Sequence, residues 1–322
     1  RMLALYINVN GDVQLVLNKL FPQTEDLGVP LTYYDDIEEP VEILAKFIEK
    51  DKTIGIDKNW PAKFLLKLQD LGAGSKFVNG SVIVDKVRQI KDEHELQLMR
   101  ESAQKIDQVM DKLIPYVVKG LTERELNAKC IELCKEVGFE GLSFDPITAY
   151  GKGGADPHHV TDDSKGKYGD SVVLDIGGMW KNYASDTTRT VFIGEISDRQ
   201  REVYNTVLEA NKRGIAAAKP GNKMSDVDKA ARDYITEKGF GEYFTHRTGH
   251  SIGLEDHEVG DVSLVNDEII EPGQCFSVEP GIYLYDEGIG VRIEDILYIT
   301  EDGCEVLNGY PKEEPIVVPM EK

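Results

Sequence analysis

Two short apolar stretches, each carrying two acids, constrain this chain more than anything else in it. VVLDIGGMWKNYASDTT reads as a β-hairpin with Asp175 and Asp186 placed symmetrically about Trp180-Lys181. SVEPGIYLYDEGIGVRIED reads as a second, with Glu279 and Glu294 flanking a turn at Asp286-Glu287-Gly288. Side chains alternate faces along a strand, so residues opposite one another in a hairpin point to the same side. The arms around these acids are apolar: Val172, Val173, Leu174 and Ile176 in one, Phe276, Val278, Ile282 and Ile293 in the other. Carboxylates held together in such surroundings repel each other and lose hydration unless a cation sits between them. Two pairs therefore imply one highly charged cation site, or two.

The rest of the chain bounds where such a site can be built. A chain of 322 residues exceeds the usual single-domain size and buries roughly three-quarters of its unfolded surface. Two domains are expected, 1–87 and 88–322. A net charge of −21 argues against nucleic-acid binding, which needs clustered Lys and Arg on one face. The longest apolar runs fall short of the ~18 residues a membrane span requires. The opening RMLALYINVNGD lacks a signal-peptide layout. Cys130, Cys134, Cys275 and Cys304 contain no CxxC and make no disulfide framework in a chain this long. A reduced, cytoplasmic protein is expected.

Residues 1–87 read as a small α/β unit. YINVNGDVQLVL gives a hairpin turning at Asn10-Gly11. PVEILAKFIEK and PAKFLLKLQDLG have helical spacing, and KTIGID and KFVNGSVIV read as strands. This unit opens directly on a strand with few elements for a core of its own, and is expected to be N-terminally incomplete. DKVRQIKDEHELQLMRESAQKIDQVMDKL reads as one long helix. Beyond it the chain repeats itself. Gly120, Glu125, Glu132, Glu136, Gly138 and Phe139 recur 101 positions later as Gly221, Asp226, Asp233, Glu237, Gly239 and Phe240. Each half then reads helix, helix, acid-paired hairpin, with capping boxes expected at Thr122-x-x-Glu125 and Ser225-x-x-Asp228. An α+β domain with a pseudo-two-fold axis follows, both acid pairs converging on that axis.

Five of the 6 histidines lie in two segments, Asp-Pro-His158-His159 and THRTGHSIGLEDHE with His246, His250 and His257. His94, in the charged helix, is assigned a structural role. His250 sits between Gly249 and Gly253, where a backbone can approach a ligand. Four carboxylates and one histidine form a hard, oxygen-rich set that suits Mn²⁺, Fe²⁺ or Co²⁺ better than structural zinc. Carboxylates also bridge metal pairs about 3.5–4 Å apart. GKGGA (151–155) lacks the strand–loop–helix context of a nucleotide cradle and reads as a substrate-site loop.

The ordered set Asp175, Asp186, His250, Glu279, Glu294 resembles the pita-bread metallopeptidases, family M24. PHH, HRTGHSIGL, SVEPGIY and VRIED are similar to its proline-peptidase branch, Xaa-Pro dipeptidase (prolidase) and Xaa-Pro aminopeptidase. The resemblance implies a pita-bread catalytic domain preceded by a creatinase-like N-terminal domain. It implies two divalent ions, Mn or Co with Zn or Fe as other candidates. Asp175 would chelate one ion, Asp186 and Glu294 would bridge both, and His250 and Glu279 would complete the other shell. His158 and His257 match the family's two non-ligand histidines, which line the substrate site and stabilise the tetrahedral intermediate. His159 and His246 are expected as supporting residues. Arg292, two before Glu294 on one strand face, is expected to orient that carboxylate or contact substrate.

The implied reaction is hydrolysis of an Xaa-Pro bond, in a dipeptide or at a peptide N-terminus, by a hydroxide bridging the two metals. Glu279 is the expected proton shuttle to the leaving nitrogen. Relatives are commonly homodimers, so a homodimer is expected. The alternatives are a methionine-aminopeptidase-like or other aminopeptidase specificity, and a non-catalytic pseudo-peptidase that binds peptides or proteins.

Overall fold

The computed structural model describes residues 1–321, and contacts divide the chain into two units between Asp85 and Lys86. In the first, β1 (Ala4–Ile7) and β2 (Val13–Asn18) form the expected antiparallel hairpin, and β3 (Leu31–Tyr34) joins β2 in parallel. Asn8 shapes the turn by accepting the backbone N–H groups of Asn10 and Asp12. After α1 (Pro40–Ala45), a parallel pair is formed by β4 (Thr53–Ile56) and β5 (Lys76–Asn79), with α2 (Ala62–Asp70) between them. Val16, Tyr34, Val41, Leu44 and Leu68 close the core of this unit. KFVNGSVIV is not one strand. Asn79 accepts the Ser81 N–H and turns the chain into α3 (Ser81–Gln89).

The long helix expected across residues 85–113 is likewise interrupted. Ile90 bridges to Gln274 and the Lys91 N–H donates to Gly273, so this stretch is held as an extended edge. Asp92 then caps α4 (Glu93–Leu113) in a reciprocal box with Glu95. That box, D-x-x-E within a run of charge, was readable but was absorbed into the helical period.

The second unit has the repeated layout. After α4 come α5 (Glu123–Val137), β6 (Ile147–Tyr150), β7 (Ser171–Ile176), the short β8 (Met179–Trp180) and β9 (Tyr183–Ala184), and β10 (Thr187–Ile193). The second half runs α6 (Asp198–Ala217), α7 (Met224–Glu237), β11 (Gly249–Ser251), β12 (Glu258–Val262) and β13 (Cys275–Val278). It continues through β14 (Gly281–Leu284), β15 (Ile289–Arg292), β16 (Asp295–Ile299), β17 (Cys304–Val306) and β18 (Ile316–Val318). One sheet has the order β18-β10-β7-β6 and the other β12-β11-β13-β16-β17. Thr122 and Glu125 form the expected capping box of α5. The box expected at Ser225 and Asp228 does not form. The N-cap of α7 is Lys223, with Asp226 three residues on. Those are the positions that the offset of 101 gives from Thr122 and Glu125. Asp228 is buried and accepts from Arg232 and Thr248 instead.

Helices α4 and α5 cover the first sheet through Ile106, Met110, Leu126, Leu174 and Val191, all without solvent exposure. Helix α6 covers the centre through Val203, Val207 and Ile293. Each such side chain contributes about 1.5–3 kcal/mol on burial. Strand β10 meets the β15–β16 segment across a seam: the Thr190 hydroxyl exchanges hydrogen bonds with the Arg292 backbone, and the Glu294 N–H donates to the Thr188 carbonyl at 3.1 Å. This seam brings the two acid pairs together.

The register of the first hairpin differs from the symmetric expectation. Lys181 and Asn182 both take positive φ, 49° and 68°, and form the two-residue turn between β8 and β9. Its centre lies one residue beyond Trp180-Lys181, so Asp175 faces Thr188, not Asp186. Asp186 is two residues from Thr188 along the strand and keeps the same face. In the second hairpin Val278 pairs with Asp295 and Gly281 with Arg292, which sets Glu279 opposite Glu294 as expected.

Candidate metal centre and active site

At the seam lies a cavity of about 400 Å³, lined by Asp175, Asp186, His250, Glu279, Glu294 and Arg292, with His158, His246, Asp256 and His257 around them. A recess of about 500 Å³ elsewhere in this unit has mixed exposed charges, Lys152, Lys165 and Lys167 facing Asp170, Glu195 and Glu287. The chemistry converges at the first. Asp186, His250 and Glu294 each bring a ligand atom within 4.8 Å of the others. His250 Nε2 lies 3.4 Å from Asp186 Oδ2 and 3.6 Å from Glu279 Oε1.

Gly249 makes this possible. A Cβ there would sit 1.9 Å from the Ser277 carbonyl oxygen, so only glycine lets β11 approach β13 and bring His250 into the cavity. The close backbone approach inferred from Gly249 is thus made by a neighbouring strand and not by a ligand.

Hydrogen bonds fix which atoms can hold a cation. His250 Nδ1 contacts the Ser251 carbonyl at 3.3 Å, so its proton belongs there and Nε2 presents a bare lone pair to the carboxylates. Burial, then the neighbouring His257, pushes His250 down to about 3, so its imidazole is neutral near pH 7. Burial together with mutual repulsion holds Asp186 and Glu294 well above the usual carboxylate range. Burial likewise pushes Glu279 up to about 8 and Asp256 up to about 7. Asp175 Oδ1, Asp186 Oδ1 and Glu294 Oε1 are buried with no hydrogen-bond partner. Orphaned acceptors facing an unprotonated imidazole are what a divalent cation site needs. The donor set suits a hard divalent cation.

Around the acids runs a chain of oriented partners. Arg292 forms an ion pair with Asp175 and also donates to the Thr188 hydroxyl at 3.1 Å and to the Tyr283 oxygen at 2.9 Å. Tyr283 in turn meets His246 Nε2 at 2.8 Å, and His246 Nδ1 meets the Arg247 carbonyl at 2.7 Å. The carbonyl can only accept, so Nδ1 carries the proton and Tyr283 donates to Nε2. Arg247 Nη2 lies 2.9 Å from His257 Nδ1. An arginine can only donate, which leaves the His257 proton on Nε2. The His257 ring stacks 3.8 Å from that of His250.

Of the residues singled out from the sequence, ten are placed as follows. Asp175, Asp186, His250, Glu279, Glu294, Arg292, His158, His246 and His257 line the one cavity. His159 does not. It turns away to Glu123, with Nε2 2.6 Å from Oε2. Arg292 reaches Asp175 across the seam and not Glu294 on its own strand; Thr188 is the residue that donates to Glu294, at 2.7 Å. Sequence reasoning missed Asp256, Tyr283 and Thr188. Asp256 was visible inside HSIGLEDHE, whereas Tyr283 and Thr188 matter only through contacts that the seam creates.

The profile of metallopeptidase family M24 matches residues 97–301, and that of the creatinase/prolidase N-terminal domain matches residues 1–90. The chain belongs to metallopeptidase family M24. This M24 chain is 35% identical over 289 residues to an Xaa-Pro dipeptidase of Pyrococcus horikoshii, covering 90% of this chain and 81% of that one. It matches the crystal structure of a dipeptidase from Pyrococcus horikoshii OT3 with a TM-score of 0.92 at 33% identity, covering 99% of this chain and 89% of that one. It matches an X-Pro aminopeptidase from Thermotoga maritima with a TM-score of 0.85 at 32% identity, covering 95% and 88%. The fold is a creatinase-type N-terminal domain followed by a pita-bread catalytic domain, and the protein is a metallopeptidase. M24 enzymes use divalent metals, and the orphaned acceptors above are where they would bind. Among the described residues no helix is long and apolar enough to cross a membrane.

Proposed function

We propose that this protein is an Xaa-Pro dipeptidase that hydrolyses proline-containing dipeptides with two divalent ions, Mn or Co. The observation that carries the reading is the cluster of buried, unpartnered carboxylate oxygens facing the bare Nε2 of His250. Asp175, Asp186, His250, Glu279 and Glu294 would hold the ions. When bound, the ions supply a hydroxide near neutral pH and polarise the scissile carbonyl.

The chain's own residues do the rest. Glu279, lining the cavity beside His250, is placed to take a proton and hand it to the prolyl nitrogen. That nitrogen belongs to a tertiary amide without N–H, so its protonation decides whether it leaves. His257, its Nδ1 engaged by Arg247, offers Nε2–H to the developing oxyanion, and His158 offers a second donor from the facing loop. Arg292 holds Asp175 in place, Tyr283 holds Arg292, and His246 holds Tyr283. His159 supports the loop and does not touch substrate.

A second reading, Xaa-Pro aminopeptidase, is favoured by the likeness to the Thermotoga maritima enzyme. The named dipeptidase relatives favour the first. We place the protein in the cytoplasm on the strength of its four free cysteines, and as a homodimer by analogy with the branch.

The test is metal content together with the Asp186→Asn variant. Wild type should bind roughly two ions per chain. The variant should keep its fold, lose metal and lose hydrolysis of Xaa-Pro dipeptides. Retained turnover at full metal occupancy would refute the assignment of Asp186 as a metal ligand.

A further inference from the structure

A second convergence of acid and histidine lies outside the cavity: Glu123, His159 and Asp162. Glu123 is the first residue of α5, and its side chain is fully buried. Its Oε1 accepts the Tyr150 N–H at 3.0 Å. Its Oε2 accepts from His159 Nε2 at 2.6 Å and from the Asp162 N–H at 3.0 Å. A buried carboxylate is costly, and three converging donors offset that cost.

One helical turn on, Asn127 adds a second grip. Its Nδ2 donates to the Pro146 carbonyl at 2.7 Å and to the Thr161 hydroxyl at 3.0 Å, while its Oδ1 accepts from Thr148 at 2.6 Å. Residues four apart share a helix face, so one face of α5 holds both ends of the segment 146–162. Gly153 of GKGGA follows from this. A Cβ on Gly153 would lie 2.9 Å from His159 Nε2 and 3.0 Å from Glu123 Oε1.

Between the held ends lie Pro157 and His158, which line the cavity. His158 is exposed, and its backbone N–H is fixed by Asp156 Oδ1 at 2.9 Å. The place of its ring is therefore set by its backbone.

We propose that Glu123 is a positioning residue: through His159, Tyr150 and Asp162 it fixes the 151–162 loop so that His158 reaches the substrate. This rests on the reading of His158 as a substrate contact. The carboxylate is required because all three partners donate. A glutamine of the same shape has one acceptor oxygen, and its amide N–H groups would face donors.

The test uses Mn²⁺-loaded full-length protein and an Xaa-Pro dipeptide. Glu123→Gln should lower kcat roughly tenfold to a hundredfold, the scale of an ångström-level misplacement, with metal content and KM little changed. Added to His158→Ala, it should cost less than about twofold more, because the two act through one group. Losses that multiply in the double variant, or an unchanged kcat in Glu123→Gln, would overturn the proposal. If Glu123→Gln fails to fold, His159→Gln replaces it in the same measurements, since it leaves the carboxylate and two of its donors in place.

A readout free of turnover separates this proposal from the reading it rests on. In metal-free protein the imidazole Cε1–H resonance of His158, assigned by its loss in His158→Ala, should shift or broaden in Glu123→Gln. A resonance that stays put refutes the positioning role. A His158→Ala variant with full kcat refutes the substrate contact and leaves the resonance to judge the brace.

Discussion

Removing the metal should make the stability of the catalytic domain fall as pH rises. Burial, reinforced by Asp175, raises the Glu279 carboxyl from 4.5 to about 8. The folded state then keeps a proton that the unfolded chain has lost anywhere between those two values. Stability in the metal-free protein is therefore complete below about pH 4.5 and declines as pH climbs through about 8. At about 1.4 kcal/mol per pH unit, the whole window amounts to roughly 5 kcal/mol. Asp186 and Glu294 are raised by the same causes and add with the same sign. Between pH 5 and pH 8 Glu279 alone accounts for roughly 3.5 kcal/mol, so at roughly 2–4 °C per kcal/mol the Tm of chelated protein should drop by about 7–14 °C. Metal-loaded protein should behave oppositely over that range, because the ion competes with protons for the same oxygens. Thermal unfolding of chelated and reloaded samples across this range checks both slopes. A chelated Tm that is flat or climbs would refute the claim that these acids are buried without a resident cation.

Two further outcomes test how the site is held. Gly249→Ala places a methyl 1.9 Å from the Ser277 carbonyl oxygen, a backbone clash that cannot be relieved by a side-chain turn. It should cost about 1–3 kcal/mol or more and lower metal affinity by displacing His250, measured by thermal unfolding and metal titration. Asp295, fully buried, accepts from Arg189 at 2.8 Å and pairs with Lys312, next to Glu294. Asp295→Asn leaves those cations short of a counter-charge and should cost about 3–5 kcal/mol, or roughly 6–20 °C in Tm; an unchanged Tm would show the triad contributes nothing.

The parts of this architecture that were legible in the sequence are those set by short-range pattern. The acid pairs stood out because charge is rare within apolar strands, and Glu279 faces Glu294 as the spacing required. The first hairpin shifted by one residue because Lys181 and Asn182, neither a glycine, adopt positive φ; residue type alone did not announce that turn. The cap of α7 moved from Ser225 to Lys223 because a repeated fold can keep a cap position whose residue has lost the usual side chain. The contacts that orient the site were least legible. Arg292 meets Asp175 and Thr188 meets Glu294 across more than a hundred residues of chain, and only the seam between the sheets makes them neighbours. The same is true of Glu123, whose partners Tyr150, His159 and Asp162 are brought to it only by the fold.

The central claim is a metal-dependent dipeptidase acting before proline. Its most direct test strips the protein with chelator, reloads it with Mn²⁺, and compares hydrolysis of an Xaa-Pro dipeptide with that of an Xaa-Pro-Yaa tripeptide. The account predicts cleavage of the dipeptide, little or none of the tripeptide, and silence while the chelator is present. Cleavage of the tripeptide at a comparable rate would contradict the dipeptidase assignment, and a reloaded protein that leaves the dipeptide intact would contradict the claim itself.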